Sequence, residues 1–395
     1  MFVKRFAVPL KIARWIAFGY VLSLSLTQAS LSDQLPRHGR VRIYFIAVDE
    51  LSWDYGPSGQ DEAMGHPFDE FEKNYMETGP HKIGRVYKKA IYREYFDAKF
   101  NRLMPLGNDE QYLGILGPIL YAEVGDTVKV VFKNNASRPY SIHPHGVLYL
   151  KNAEGSGYND GTSGTDKEDD TVAPGATHTY IWEIPERAGP GPNDPSSLVW
   201  LYHSHVDELR DVASGLFGAI VVTARGKARA DGHPADVDAE FFAMMMTINE
   251  NESWYLDDNI RKYTTDPKGV NKKESILEGP DGVIAAGLGR GFVDVNLRYT
   301  INGFMFGNMP MITMKKGERV RWYLLTLGDS NNIHTPHWHG NVVNESGHNT
   351  DVVDLAAGQM KTVDMVPDNP GIWLFHCHFS DHMAGGMVAR YKVEP

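Results

Sequence analysis

Apolar and polar residues alternate with a period of two along several stretches of this chain, which is the pattern of half-buried β-strands. The alternation is clearest in residues 125–132 and 178–184, and the apolar run 215–222 is typical of a buried closing strand. Residues 30–112 mix aromatic and charged residues without a helical period, so we expect short strands joined by long surface connections there. The Gly-, Asp- and Thr-rich stretch 151–175 is typical of a loop. The pattern therefore predicts an all-β protein.

The second half of the chain repeats the order of segments in the first half, and such a repeat indicates two copies of one structural unit. The equivalent pairs are 125–132 with 317–324, His143-Pro144-His145-Gly146 with His337-Trp338-His339-Gly340, His203-Ser204-His205 with His376-Cys377-His378, and 215–222 with 385–393. Frequent turn signals between short strands favour a Greek-key β-sandwich for each copy. We predict domain 1 at residues 30–224, a linker at 225–240 and domain 2 at 241–395.

The first 29 residues have the pattern of a secretory signal peptide. A basic start with Lys4 and Arg5 precedes an apolar run at 15–26 and a small residue, Ala29. The run is too short to span a membrane, so we expect cleavage near Ala29, an exported protein in the periplasm or medium, and no membrane span afterwards. An anchor that stays attached is the alternative.

The net charge of the chain indicates which classes of partner it can bind. The full sequence has a formal net charge of -11, and without residues 1–29 its 35 basic residues stand against 50 acidic ones. An acidic protein without a basic patch disfavours nucleic acid as a partner.

The only cysteine, Cys377, lies in a segment rich in metal-binding residues. In an exported chain a single cysteine is either a free thiol or a metal ligand. Cys377, His382 and Met387, with one more His, make the ligand set of a blue-copper site. If this segment starts as a strand, His376 and His378 share one face and Cys377 points to the other, so one tripeptide serves two metal sites. The alternative is a buried Cys beside core histidines.

Ten of the sixteen histidines fall in four clusters. These are His143 and His145; His203 and His205; His334, His337 and His339; and His376, His378 and His382. Two of the ten serve the blue site, and the eight that remain suit three copper ions. The other histidines, at positions 38, 66, 81, 178, 233 and 348, match no cluster and are expected on the surface.

These segments resemble the signature segments of the multicopper oxidases, and the ceruloplasmin and hephaestin branch is the more similar. The resemblance also covers residues 114–119, 136–140, 252–259 and 370–374. It implies cupredoxin-like sandwiches and four copper ions. The implied ligands are His334, Cys377, His382 and Met387 for type 1 copper; His143 and His337 for type 2; His145, His203 and His378 for one type 3 ion; and His205, His339 and His376 for the other. Electrons would enter at type 1, pass through Cys377, and reduce O2 to water.

The resemblance also implies an assembly. Half of the cluster ligands lie in each domain, and two-domain relatives form homotrimers with the cluster at the subunit interface, so we expect a homotrimer. Ser204 stands where Cys377 stands in the repeat, and the first half lacks equivalents of His382 and Met387. The type 1 site is therefore expected in domain 2 only.

Three carboxylates are further candidates by resemblance. Asp160 matches the acid that supplies protons near type 2 copper; the alternative is a turn residue. Asp381 and Asp294 match the carboxylates that bind ferrous iron in the ceruloplasmin branch, with Tyr299 where a third ligand may be His. The alternatives are a loop carboxylate for Asp381 and ordinary surface charge for Asp294. Two carboxylates fit a hard cation, which favours ferrous iron as the substrate and therefore a ferroxidase. A laccase-like oxidation of phenols is the other expected activity.

Two other interpretations stay open at this point. A non-catalytic copper-binding or electron-transfer protein would share the type 1 ligands; a copper nitrite reductase is disfavoured, because its catalytic copper needs only three histidines.

Methionines at 244–246, 305, 309, 311 and 314 could bind cuprous ion, but are expected to be core residues.

Overall fold

The alternating segments form strands in the computed structural model, which describes residues 39–275, 291–328 and 333–395. The predicted signal peptide and His38 lie outside the described residues. The strand Thr127–Asn134 alternates between half-buried and buried side chains, close to the predicted position. No helix in the described part of the chain is long and apolar enough to cross a membrane.

The first eleven strands form two sheets and a small hairpin. They are β1 Val41–Asp54, β2 Gln60–Asp61, β3 His66–Pro67, β4 Val86–Tyr95, β5 Ile119–Glu123, β6 Thr127–Asn134, β7 His143–Pro144, β8 Leu148–Tyr149, β9 Thr177–Glu183, β10 Ser197–His203 and β11 Phe217–Thr223. Helices α1 (Lys73–Met76) and α2 (Glu208–Ser214) and four short 3-10 turns connect them.

The two sheets of this half have the orders β4-β1-β6-β9-β8 and β5-β11-β10-β7. Strand β1 runs parallel to β6 and β5 runs parallel to β11, whereas the other pairs are antiparallel. One buried cluster joins both sheets, with Val130 and Trp182 from the first and Leu120 and Ile220 from the second. The half is therefore a β-sandwich.

The described residues of the second half form ten strands and three helices. They are β12 Ala239–Asn249, β13 Leu297–Ile301, β14 Ile312–Lys315, β15 Val320–Leu325, β16 Pro336–Trp338, β17 Val343–Glu345, β18 His348–Thr350, β19 Met360–Met365, β20 Gly371–Cys377 and β21 Val388–Glu394, with α3 Leu256–Tyr263, α4 Phe292–Val295 and α5 Ser380–Ala384.

The sheets of the second half, β13-β12-β15-β19-β17-β18 and β14-β21-β20-β16, repeat the first two strand for strand with β18 added. The parallel pairs recur as well, between β12 and β15 and between β14 and β21. The all-β class and the internal repeat are thus confirmed. The limits of the two domains and of the linker stay predictions.

The expectation of short strands in residues 30–112 is confirmed for β2 and β3, with two residues each, and is wrong for the two main strands. Strand β1 has 14 residues and β4 has 10, and the two pair along ten positions. Charged residues that interrupt the polar–apolar pattern are tolerated because they pair across the two strands, as Lys88 Nζ of β4 does with Glu50 Oε2 of β1 at 2.7 Å.

The two sandwiches share a core. One buried cluster includes Tyr55 and Val221 from the first and Met245 and Phe304 from the second. The predicted methionines belong to this core, except Met311, which is 38 % exposed. A buried ion pair also joins the halves, since Lys89 Nζ lies 2.6 Å from Glu250 Oε1 and both side chains are fully buried.

A glycine at equivalent positions of the two halves follows each His-x-His segment, after β7 in the first half and after β16 in the second. Gly146 and Gly340 have φ angles of 75° and 73°, a region that disfavours residues with a Cβ. A Cβ at Gly146 would lie 2.3 Å from the Trp200 ring, and one at Gly340 would lie 2.6 Å from the Trp373 ring. The tryptophans therefore pack directly on the turns that carry the histidines.

Gly340→Ala is expected to destabilise the copper-free protein more than Gly317→Ala. Gly317 also has a positive φ, of 83°, but its added Cβ meets no atom within 4 Å. Left-handed backbone costs an Ala about 1–2 kcal/mol at either position. The Trp373 clash at Gly340 adds roughly 1–3 kcal/mol, as overpacking does. Urea unfolding midpoints measure both costs, and equal losses would contradict packing of Trp373 on the turn.

Candidate metal centres

Three side chains, here called the cysteine group, converge in the buried interior near the end of β20: His334, Cys377 and His382. Cys377 closes that strand, His382 lies in α5, and His334 is held by two backbone hydrogen bonds to Leu355, both 2.8 Å. Cys377 Sγ lies 3.9 Å from His334 Nδ1 and 3.6 Å from His382 Nδ1, and the two nitrogens are 3.2 Å apart. Two nitrogens and a sulfur around one point are the donors of a soft, redox-active metal.

The surroundings favour the metal-binding form of each ligand. The Thr335 amide donates a hydrogen bond to Cys377 Sγ at 3.3 Å, which holds the sulfur in place. Burial lowers the pKa of His334 to about 3 and also lowers that of His382, so both rings are neutral at pH 7. Met387 is fully buried, and its backbone bonds both Cys377 and His382, at 3.2 and 2.9 Å. The donor set therefore fits copper.

Four histidines of the first sandwich form a second group, here called the first quartet: His143, His145, His203 and His205. Pairing of β7 with β10 sets His143 opposite His203. The ring centroids of contacting pairs lie 5.2 to 5.6 Å apart. Burial lowers the pKa of His145 to about 4 and that of His203 to about 3, so these rings also remain neutral.

Hydrogen bonds to Nδ1 orient three rings of the first quartet. His143 donates to the Glu154 carbonyl at 2.7 Å and His203 to the Ser204 carbonyl at 3.1 Å, while His205 Nδ1 bonds Ser156 Oγ at 3.0 Å. Each bond leaves Nε2 available to a metal, which is the usual arrangement around ligating histidines.

The second quartet comprises His337, His339, His376 and His378. Pairing of β16 with β20 sets His337 opposite His376. His376 Nδ1 donates to the Cys377 carbonyl at 2.9 Å, and its Nε2 lies 3.1 Å from His337 Nδ1 and 3.0 Å from His339 Nε2. All four residues line a cavity of 670 Å³. The expected division of the tripeptide is present, because Cys377 faces one group and its two neighbours face another.

The two quartets do not meet within one chain. Among the described residues, no ring contact and no three-ligand group combines a histidine of the first quartet with one of the second. The type 2 and type 3 ligand sets expected by resemblance each mix the two quartets. In the part of the chain that the structure describes, these mixed sets are not brought together.

A hydrogen-bond network occupies the first sandwich where the second has its cysteine. Ser204 Oγ is buried and donates to Asp211 Oδ2 at 2.7 Å, and Trp254 Nε1 donates to Asp211 Oδ1 at 2.9 Å. Burial raises the pKa of Asp211, although these donors oppose the shift. The serine therefore serves a polar core contact instead of a metal.

Asp160 lies in an ion-pair network on the loop after β8. Its carboxylate lies 3.0 Å from Lys151 Nζ and 2.9 Å from Lys167 Nζ, and it accepts from the amide and hydroxyl of Thr162. The Thr162 hydrogen bonds, then the lysines, hold its pKa well below the usual range. Lys151 also binds Glu154, whose carbonyl orients His143. Asp160 is thus ionised at neutral pH and tied to the support of the first quartet.

Asp381 and Asp294 lie in different environments. Asp381 is exposed at the start of α5, next to His382. Asp294 is only 1 % exposed and accepts from Ser275 Oγ at 2.7 Å and from the Gly291 amide at 3.1 Å. The alternative interpretation of Asp294 as surface charge is therefore wrong. The Tyr299 ring stacks on His382, with centroids 5.3 Å apart.

Two carboxylates near the quartets were not among the predicted site residues. Glu208 Oε2 lies 3.3 Å from His205 Nε2, and Asp351 Oδ2 lies 3.6 Å from His337 Nε2. Glu208 follows His205 by three positions at the start of α2, a spacing that could have indicated the contact. Asp351 is distant in sequence and only strand pairing brings it near.

Both halves of the chain match family models described as multicopper oxidase. One model matches residues 107–227 and the other residues 286–395, together more than half of the chain. The first match contains the first quartet, and the second contains the second quartet with Cys377, His382 and Met387.

Curated relatives match most of the chain. It is 42% identical over 355 residues to Ferroxidase HEPHL1 of Mus musculus, covering 89% of the chain and 29% of the relative. It is 40% identical to Hephaestin of Mus musculus, covering 95% and 31%, and 39% identical to Ceruloplasmin of Homo sapiens, covering 89% and 30%. The chain thus spans about three tenths of the length of these relatives.

Solved structures share the fold at low sequence identity. A crystal structure of a multicopper oxidase matches with a TM-score of 0.53 at 20% identity, covering 90% of both chains. The Blue Copper Oxidase from Nitrosomonas europaea matches with a TM-score of 0.52 at 17% identity, covering 90% of this chain and 86% of the other. The architecture is that of these cupredoxin-fold proteins.

The copper-free protein is expected to lose stability as the pH falls from about 6.5 towards 3. The folded pKa of His334, about 3, lies below the unfolded value, so the unfolded chain binds more protons in this window. Thermal melts from pH 7.5 to 4.5 measure the slope.

His334→Gln should flatten that slope, because one proton-linked group is removed. His348→Gln, at an exposed position, is the matched control and should leave it unchanged. A His334→Gln slope equal to that of the parent would contradict the burial argument.

Proposed function

Because the chain belongs to the multicopper oxidase family, we propose that it oxidises a reducing substrate by single electrons at a type 1 site and reduces O2 to water at a trinuclear site. The observation that carries this proposal is the division of His376-Cys377-His378 between the buried cysteine group and an imidazole-lined cavity. A protein that only stored or shuttled copper has no need for the two histidine quartets.

The proposed ligands follow from donor chemistry and from the family. His334, Cys377, His382 and Met387 would hold type 1 copper. The quartets would hold the other three ions, with His143 and His337 on type 2; His145, His203 and His378 on one type 3 ion; and His205, His339 and His376 on the other. Bound copper would supply reversible one-electron transfer and O2 binding.

The chain itself supplies the connection between the sites. The path from Cys377 Sγ to the rings of its two neighbours crosses only the backbone of adjacent residues. The His376 Nδ1 bond to the Cys377 carbonyl, at 2.9 Å, adds a second route over the same peptide. Burial of Cys377 and His334 excludes water from the cysteine group, and of its ligands His382, at 5% exposure, lies nearest to solvent, so we propose that substrates donate electrons through the His382 ring.

Ferrous iron is the proposed substrate that the relatives support, since HEPHL1 carries the name ferroxidase. Asp381 is exposed beside His382, where a cation would lie close to the electron acceptor. The carboxylate oxygens of Asp294 already accept hydrogen bonds at the cap of α4. We therefore propose that Asp381, not Asp294, is the principal iron ligand of the pair.

A phenol is the second proposed substrate class. Phe379 is 48% exposed and its ring lies 4.8 Å from that of His382, and Met383 beside it is 40% exposed. This apolar surface could hold an aromatic donor against the type 1 ligand.

We further propose a homotrimer in which the first quartet of one subunit meets the second quartet of the next. Separation of the quartets within one chain supports this assembly, since the cluster requires both. A closed ring of head-to-tail contacts would give three equivalent clusters.

Oxygen uptake by the copper-loaded protein is expected with ferrous iron as donor, and Asp381→Ala should raise the KM for iron roughly tenfold or more, since it removes a substrate contact. The KM for a methoxyphenol should change little. Asp368→Ala, an exposed carboxylate in the same half, is the matched control. If Asp381→Ala leaves iron kinetics unchanged, the iron assignment fails; absence of uptake with either donor would refute the oxidase.

Mixing two inactive variants tests the shared cluster. His143→Ala and His337→Ala should each abolish uptake, but co-refolded chains should regain about a quarter of parental activity, because a random ring pairs an intact first quartet with an intact second one at that frequency.

The control mixes His143→Ala with His205→Ala, which lie in the same quartet, and no activity should return. If the first mixture also stays inactive while both variants still form trimers in light scattering, the cluster does not lie between subunits.

A further inference from the structure

A third group of metal-binding side chains lies outside the sites described above. It consists of Asp61 at the end of β2, His66 at the start of β3, and Glu72 just before α1. One ligand atom from each lies within 4.8 Å of the other two. Antiparallel pairing sets Asp61 opposite His66, so the hairpin itself brings two of the three together.

The carboxylates of Asp61 and Glu72 are buried, and no basic side chain is paired with them among the described residues. Asp61 is 3% exposed and Glu72 is 7% exposed, and a carboxylate oxygen of one lies within 4.8 Å of a carboxylate oxygen of the other. Neither forms an ion pair with a Lys or Arg among the described residues. Two adjacent buried negative charges are costly unless a proton or a cation lies between them.

In each carboxylate, one oxygen accepts hydrogen bonds from backbone amides and the other does not. Asp61 Oδ1 accepts from the amides of Ala63 and Met64, at 2.7 and 3.0 Å, and Glu72 Oε2 accepts from the Asp69 amide at 2.8 Å. In the described part of the chain, Asp61 Oδ2 and Glu72 Oε1 accept no N–H or hydroxyl donor. Both residues line the 670 Å³ cavity of the second quartet.

The hairpin is anchored to the second sandwich, so the group is rigid. The Glu62 amide donates to the Phe306 carbonyl at 3.0 Å, and Arg390 pairs with Glu62 at 3.1 Å. Two carboxylates and one imidazole form a site for a divalent cation such as Mn²⁺ or Fe²⁺, whereas cuprous ion prefers sulfur ligands.

We propose that Asp61, His66 and Glu72 bind one divalent cation at the edge of the cavity that the second quartet lines. The same cavity is lined by Ser380 and Met383 of α5, the helix that carries His382. Ferrous iron is the cation that the proposed function brings there, and this last assignment rests on that function. The site then holds iron close to the helix through which electrons enter.

Manganese binding tests the site without oxygen chemistry. The copper-loaded protein is reduced with ascorbate under argon, so that its copper gives no paramagnetic signal, and Mn²⁺ is titrated while the EPR signal of free Mn²⁺ is recorded. The parent should bind one more Mn²⁺ per chain than Glu72→Gln. His66→Gln, at an exposed position that folding tolerates, should weaken that binding roughly tenfold or more. Ferrous iron should compete for the same site.

Glu70→Gln is the matched control, because Glu70 is an exposed carboxylate two positions away that pairs with Lys73. It should bind Mn²⁺ as the parent does. Equal Mn²⁺ binding by the parent and Glu72→Gln would overturn the proposal and leave a shared proton between the carboxylates. If the site binds Mn²⁺ but iron drives no oxygen uptake, the cation site is supported and the ferroxidase function is refuted. If iron drives oxygen uptake but the site binds no Mn²⁺, the ferroxidase function is supported and the cation site is refuted.

Discussion

The alternation of side chains along β20 is the constraint on which the rest of this structure depends. In an extended strand, consecutive residues must point to opposite faces. Cys377 therefore enters a buried group with His334 and His382, while His376 and His378 enter the cavity on the other side. The distance between the two kinds of site is fixed by one peptide unit on each side of the cysteine, and no loop movement can change it.

Holding neutral imidazoles together requires support from the surrounding backbone. Carbonyl groups of Glu154, Ser204 and Cys377 accept the Nδ1 hydrogens of three histidines, which fixes both the tautomer and the ring plane. Burial keeps these rings uncharged, so they do not repel one another at neutral pH. Tryptophans packed on Gly146 and Gly340 fix the turns that carry the remaining rings. The same arrangement occurs in both sandwiches, as expected for a duplicated unit.

The sequence was sufficient for the parts of the fold and site that depend on local periodicity. Strand alternation, the internal repeat, and the opposite faces of the His376 and Cys377 side chains all follow from it. The length of β1 could not be predicted, because its pairing with β4 is non-local and its polar–apolar pattern is irregular. The burial of Asp294 depends on Ser275 and on the Gly291 amide. Asp61 meets His66 only because the β2–β3 hairpin sets the two residues opposite each other.

The electronic spectrum and copper content of Cys377→Ser test whether Cys377 and its two neighbours belong to different metal sites. We expect this variant to lose the intense blue copper–thiolate absorption and one copper ion per chain, while the EPR signal of the proposed type 2 copper remains. The reason is that Cys377 and its neighbours would serve different sites from opposite faces of one strand. A variant that kept the blue band, or that lost all of its copper while still folded, would contradict the division of the tripeptide.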